Sequence, residues 1–201
     1  WLSGDHIVEQ HVHNIDVINW FTGTYPTKAV GFGSRQRRVT GDQYDNFSVD
    51  FVYDNGMHMH SMCRQINGCA NNVSEWIRGT KGSTNCANKI FDLAGNEIYA
   101  YPYPLNEKGE PTRNVKVNPY VQEHIDLVTC IRQDIPINEA EATAISCMVA
   151  IMGRVSAYTG KQVTWEEMMN SDMKLGPSTY VMGDVGIVKN ATIPVPGESK
   201  S

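Results

Sequence analysis

The sequence holds no Cys-x-x-Cys pair and no even set of cysteines. Its five, Cys63, Cys69, Cys86, Cys130 and Cys147, are widely spaced. That speaks against a zinc ribbon or a disulfide framework and reads as small buried apolar residues. Positive charge is not in excess: Lys and Arg number 17 against 22 Asp and Glu, a formal charge of −5. A general nucleic-acid binder needs a basic patch that this balance does not supply. No uninterrupted apolar run approaches the ~20 residues that span a bilayer. The early Asp5, His6 and Glu9 are unlike a signal peptide. There is no internal repeat, no Gly-x-Ser-x-Gly elbow and no Cys/His nucleophile pattern. Gly31-Phe32-Gly33-Ser34-Arg35-Gln36 opens like a dinucleotide loop but lacks the third glycine and a surrounding β-α-β unit. Gly79-Thr80-Lys81-Gly82 reads as a turn, and the Asn-x-Ser/Thr triplets at Asn46, Asn72 and Asn190 read as chance.

What remains is a folded chain of 201 residues, 41% apolar and 19% charged. Residues 4–21 show helical periodicity, stopped by Gly23 and Pro26. A sheet is expected over 27–101. Val49, Phe51 and Tyr53 alternate with Ser48, Asp50 and Val52, and Asp54-Asn55-Gly56 supplies hairpin turn chemistry. Short strands fit 73–79, 83–87, 89–93 and 97–101. A Pro- and Gly-containing loop follows over 102–118, then helices within 119–171, the last capped by Thr164, and a coil tail over 176–201. One helix, many strands and then helices make an α+β fold, an open and mostly antiparallel sheet with helices packed on one face. In the strand after the hairpin, His58, His60, Met62 and Arg64 share one face, and Met57, Met59, Ser61 and Cys63 the other. A sheet with one face against helices and a second, semi-apolar face presents either a solvated outer surface or a subunit interface, and the Met-rich strand makes us expect a homo-oligomer.

The first helix is the segment richest in chemistry. At 100° per residue Ile7, Val8, Val12, Ile15 and Ile18 form an apolar stripe, with His11 among them. His6, Glu9, His13 and Asp16 fall within an arc of about 80° on the other side. Glu9 and His13, at i and i+4, are spaced to hydrogen-bond. A carboxylate there would orient the imidazole and favour its protonated form, the setting of a general acid or base near neutral pH. The same face also fits an ordinary solvated helix surface. Glu9-x-His11-x-His13 is not a zinc-protease motif, and His58 with His60 reads as packed surface, so no metal is expected. Arg35, Arg37 and Arg38 either meet an anionic ligand or decorate a strand.

Gly4-Asp5-His6 through His13-Asn14-Ile15-Asp16, with the apolar run to Trp20, resembles the glucose–fructose oxidoreductase/inositol dehydrogenase/rhizopine-catabolism (Gfo/Idh/MocA) family at the opening of its C-terminal domain. Cys63-Arg64-Gln65, Gly79–Gly82, Asn118-Pro119-Tyr120 to Glu123-His124, Ala150–Arg154 and Ala157–Lys161 extend the likeness to about residue 175. The resemblance implies a single substrate-binding and oligomerisation domain over 1–201, like the C-terminal domain of glyceraldehyde-3-phosphate dehydrogenase. The first residue is Trp1 and the family's Rossmann domain is not in the sequence. We therefore expect an N-terminal domain to hold NAD or NADP and to supply a lysine, and the chain by itself to be inactive. The family's catalytic histidine falls on His13 and its trailing aspartate on Asp16. Glu9 stands where an aspartate is usual. His6 is the next expected substrate contact, followed by Arg64, Tyr120 and His124; the last two also fit the first turn of a packing helix. The implied reaction is hydride transfer between a sugar or polyol and nicotinamide. A non-enzymatic carbohydrate-binding or oligomerisation module, and an NAD-dependent glycoside-cleaving enzyme, are the alternatives. The expected compartment is the cytoplasm, or an exported location if a preceding segment carries a signal.

Overall fold

The alternation in residues 46–64 becomes a hairpin closed by Gly56, whose φ of 80° suits a residue without Cβ. The computed structural model describes residues 3–39, 41–111, 118–177, 179–183 and 192–198. Asn190 and residues 112–117 of the expected loop lie outside the described residues. In chain order the elements are α1 (Asp5–Glu9), α2 (Val12–Thr22), β1 (Lys28–Ser34), β2 (Asn46–Val52), β3 (His58–Arg64), β4 (Ile77–Arg78), β5 (Ser83–Thr84), β6 (Lys89–Phe91), β7 (Glu97–Ala100), α3 (Pro119–Gln133), α4 (Ala140–Thr159), β8 (Val163–Thr164) and α5 (Trp165–Met169). The fold is α+β, with an open antiparallel sheet and helices. Two compact units divide the chain: 1–72 with 141–201, and 73–140.

In the first unit the strands run β3-β2-β1-β8. Their inner face alternates strictly: Ala29, Phe47, Val49, Phe51, Met59 and Ser61 are buried, and their neighbours along each strand are not. Ile7, Ile15, Val149 and Met152 join them in one core cluster. Burying a side chain of this size is worth about 1.5–3 kcal/mol. Strand β1 approaches α4 closely enough that a Cβ on Gly31 would lie 2.8 Å from the Gly153 carbonyl and 2.9 Å from the Ala157 nitrogen. The Gly31 N–H donates to Ser156 Oγ at 2.8 Å, so the contact is both tight and polar-satisfied. Gly31 is therefore spent on strand–helix packing and is no part of a phosphate loop. Helix α4 has mean hydropathy 1.2, long and apolar enough by composition to cross a bilayer, yet 44% of that window is buried within the fold. Glu141 and Arg154 interrupt it in sequence, which is why no continuous apolar run shows there.

The helix expected over 4–21 is two. The His6 carbonyl accepts from both Gln10 N (3.1 Å) and His11 N (3.0 Å), and the chain turns before α2 begins. This widened turn lets the His11 ring reach Ser61 Oγ of β3 at 2.8 Å. The apolar stripe survives because each half buries its own residues, so a wheel drawn at constant angle does not register the break. Gly23, at φ 64°, closes α2 as expected.

The sheet expected over 27–101 is two sheets, the second ordered β4-β5-β6-β7 within the second unit. Its strands are two to four residues long. Asn, Ser and Gly interrupt the segment and leave few alternating apolar residues to extend them. Helix α3 is capped by Asn118, whose side chain accepts from Tyr120 N, with Pro119 in the first turn. No described residue of 73–140 is buried. Thr164 caps α5 in a full capping box with Glu167.

Candidate functional site

Two buried polar clusters hold the N-terminal helices from within. In α2, the Tyr53 hydroxyl donates to Asn19 Oδ1 (3.3 Å) and Asn19 Nδ2 donates to Ser146 Oγ (3.1 Å). Ser146 Oγ in turn donates to Asp16 Oδ1 (2.6 Å). The donors run in one direction, from the sheet to an exposed carboxylate. At α1, Asp5 is fully buried and its Oδ2 accepts from Arg154 Nε (2.8 Å) and the Tyr158 hydroxyl (2.7 Å). Burial pushes the Asp5 carboxyl up, against the pull of Arg154 and Tyr158. Both partners stand on α4, so one core helix sets the position of both site helices.

The outward side carries a third network. Ser3 Oγ donates to Glu9 Oε2 (3.0 Å), and Gln43 Nε2 donates to the Ser3 carbonyl (3.0 Å). Arg38 donates to Gln43 Oε1 (3.1 Å) and Gln65 Oε1 (2.9 Å). His6 feels the charges of both Glu9 and Arg38 of this network. Burial pushes its pKa down, Glu9 pulls it up and Arg38 adds to the lowering. Its Nδ1 is buried and, among the described residues, has no hydrogen-bond partner. The turn that carries Arg38 is tied down by Asp45, whose carboxylate accepts the backbone N–H groups of Gln36, Arg37 and Arg38 at 2.7–3.0 Å. Burial works to raise the Asp45 pKa, but these bonds and the Asn46 amide hold it below the usual carboxylate range. Arg35 is likewise local, donating to the Arg38 and Gly41 carbonyls.

His13 is exposed on α2, and among the described residues its ring has no hydrogen-bond partner. Glu9 does not pair with it: the carboxylate turns to Ser3 and faces His6, because the widened turn at Gln10–His11 lies between them. His11 points inward to Ser61, and burial, then His6, lowers its pKa. Thus His6 and Glu9 interact on α1, while on α2 His13 is exposed and Asp16 turns to Ser146 of α4. The register of β3 places Arg64 on the outer sheet face with His60 and Met62, where it donates to the Ala70 carbonyl (2.9 Å). His58 pairs there with Asp50 at 3.0 Å. Tyr120 and His124 are exposed on α3 in the second unit, with His124 Nδ1 2.6 Å from the Tyr120 carbonyl. Among the described residues no group of three His, Cys, Asp or Glu side chains is placed to hold a metal ion.

Residues 2–85 match the family model of the GFO/IDH/MocA C-terminal domain. Over that stretch the chain is similar to the family's C-terminal domain. Its fold is shared with a scyllo-inositol dehydrogenase from Lactobacillus casei, solved with NAD(H) and scyllo-inositol (TM-score 0.59, 18% identity, covering 82% of this chain and 49% of that one). It is shared too with an aldose-aldose oxidoreductase from Caulobacter crescentus complexed with glycerol (TM-score 0.60, 16% identity, 81% and 48%). A third is the myo-inositol 2-dehydrogenase from Lactobacillus plantarum (TM-score 0.52, 19% identity, 82% and 49%). The chain spans about half the length of these solved proteins. No curated protein matches it.

Arg38, Ser146 and the Asp5–Arg154–Tyr158 cluster were not legible as site-builders. Arg38 showed only as one of three clustered arginines. Asp5 and Arg154 are 149 positions apart, and no local pattern links residues at that separation.

Proposed function

We propose that this chain is the substrate-binding and proton-transferring half of an NAD(P)-dependent oxidoreductase acting on a sugar or polyol. The observation that carries the reading is His13: an exposed imidazole, without an internal partner, on a helix whose rotation is fixed from the core through Asp16, Ser146 and Asn19. The family match and the inositol and aldose oxidoreductases that share the fold support the same class. Nicotinamide, when bound, supplies the hydride acceptor. The only Gly-x-Gly near a strand, Gly31-Phe32-Gly33, is built into β1, so this chain's part is the proton and the substrate's position.

In this reading His13 takes the proton of the substrate hydroxyl as the carbinol hydrogen leaves with its electron pair, and returns it in the reverse direction. Burial keeps the His6 ring neutral, so it can donate or accept toward a second hydroxyl, and its buried Nδ1 leaves Nε2 as the ligand-facing atom. Glu9 acts on His6 in place of the expected pairing with His13. The outer sheet face, where Phe32 and Met62 are exposed beside the Asp50–His58 pair, is the surface we assign to a second copy of the chain.

The test uses the full-length gene product with NAD or NADP and a panel of polyols and aldoses. His13→Ala should lower kcat by roughly 10²–10⁴-fold, the usual worth of a general base. Unchanged turnover refutes the assignment. Polyol binding without any nicotinamide turnover would make the domain a binding module, and cleaved glycosides among the products would indicate net non-redox chemistry.

A further inference from the structure

Two adjacent residues at the start of α1 carry three unfavourable features. Asp5 is a non-glycine residue at φ 67°, in the left-handed region. It is fully buried, and among the described residues its Oδ1 has no hydrogen-bond partner. His6 follows with its own buried, unpartnered Nδ1. Starting a five-residue helix requires none of this. Such features persist only where the surroundings over-determine them, and they concentrate where a side chain must be aimed.

The surroundings here are explicit. Tyr158 stacks on Tyr44 with ring centroids 4.1 Å apart, and the Arg154 guanidinium lies 4.3 Å over the Tyr158 ring. The Tyr44 N–H donates to the Tyr158 oxygen at 2.7 Å, so the single hydroxyl proton of Tyr158 is left for Asp5 Oδ2. The donor direction is thereby fixed, and Asp5 is held as an acceptor from two sides. We propose that Arg154 and Tyr158 of α4 are positioning residues: by clamping Asp5 in its left-handed conformation they set the direction of the His6 ring toward substrate. This rests on His6 being a substrate contact, as proposed above. The bland alternative is a fastening of α1 to α4 that leaves the His6 ring indifferent.

The experiment reads the ring directly. Cε1–H signals of the six histidines are followed by NMR in the full chain, with the His6 signal assigned by its loss in His6→Gln. Groups facing His6 are Glu9, Arg38 and His11, and all stay unaltered in the variants. Asp5→Asn keeps a side chain tolerant of positive φ and removes the charge. Tyr158→Phe removes one donor and keeps the stack. Both should shift the His6 signal while His58 and His60, on the outer sheet face, stay in place. In the full-length enzyme both should raise KM for the polyol roughly tenfold, the scale of a hydrogen bond to a charged group, with kcat changed less. Arg154→Lys, which retains charge, should fall between wild type and Asp5→Asn. A lowered Tm with the His6 signal and KM unmoved overturns the proposal. Should Asp5→Asn fail to fold, Tyr158→Phe decides alone. If the wild-type enzyme turns over no polyol, the functional reading fails, and the His6 signal still decides the clamp.

Discussion

Replacing Ser146 with Ala deletes one oxygen at the centre of the chain that anchors α2. Ser146 is 2% exposed; it accepts from Asn19 Nδ2 and donates to Asp16 Oδ1. Asp16 is exposed, so its carboxylate regains water and the lost bond costs about 0.5–1 kcal/mol. Asn19 is buried, and its amide N–H would have no acceptor, costing about 1–3 kcal/mol. The expected destabilisation is therefore about 2–3 kcal/mol, and most of it comes from the orphaned Asn19. For a chain of this size that lowers Tm by roughly 4–12 °C. Asp16→Asn, which leaves Asn19 and Ser146 paired, should cost less than half as much. Scanning calorimetry of the two variants beside wild type checks the order. Equal Tm values for Ser146→Ala and wild type, or a larger loss for Asp16→Asn, would refute the argument that the buried amide sets the magnitude.

Gly31→Ala drives a methyl group into backbone atoms at 2.8 and 2.9 Å, so β1 and α4 must shift apart; we expect a loss of about 1–3 kcal/mol by denaturant titration. Phe32→Glu places a charge in the middle of the outer sheet face, and sedimentation velocity should show a smaller species than wild type if that face joins two copies. Burial lowers the pKa of both His6 and His11 in the folded chain. The unfolded chain therefore binds more protons as pH falls through the ordinary histidine value near 6.5, and stability drops there. Tm should decline from pH 7 to 5, and less so in His11→Gln; a flat profile over that window would contradict the burial of both rings.

The hairpin 46–64 was readable in full, because period-two alternation and a turn tripeptide are local signals. Which face of β3 holds His60 and which holds Ser61 followed from the same pattern. Helices α3 and α5 were readable through Pro119 and Thr164, residues that act within three positions of themselves; the Asn118 cap was not read. The break at Gln10–His11 was not, since no Gly or Pro marks it and its cause is a contact to Ser61, fifty positions away. The Glu9–His13 pair failed for the same reason: spacing along a helix holds only while the helix is unbroken. The site's supports were invisible because Ser146, Arg154 and Tyr158 read simply as the polar members of an apolar helix.

The split of the first unit around 73–140 has a kinetic consequence. Its strands β1 to β3 are finished by residue 64, while α4, which covers them, begins at residue 140. Closing so long a loop adds little to the free energy, since the entropy grows only with the logarithm of its length. On the ribosome the delay is longer. At ~5–20 residues per second, the stretch between β3 and the end of α4 takes roughly 5–19 s to synthesise. Throughout that interval Phe47, Val49, Phe51 and Met59 have no helix α4 to pack against. In a nascent chain halted before α4 these side chains should therefore stay open to protease, and protection should appear once Gly153 and Ala157 have emerged.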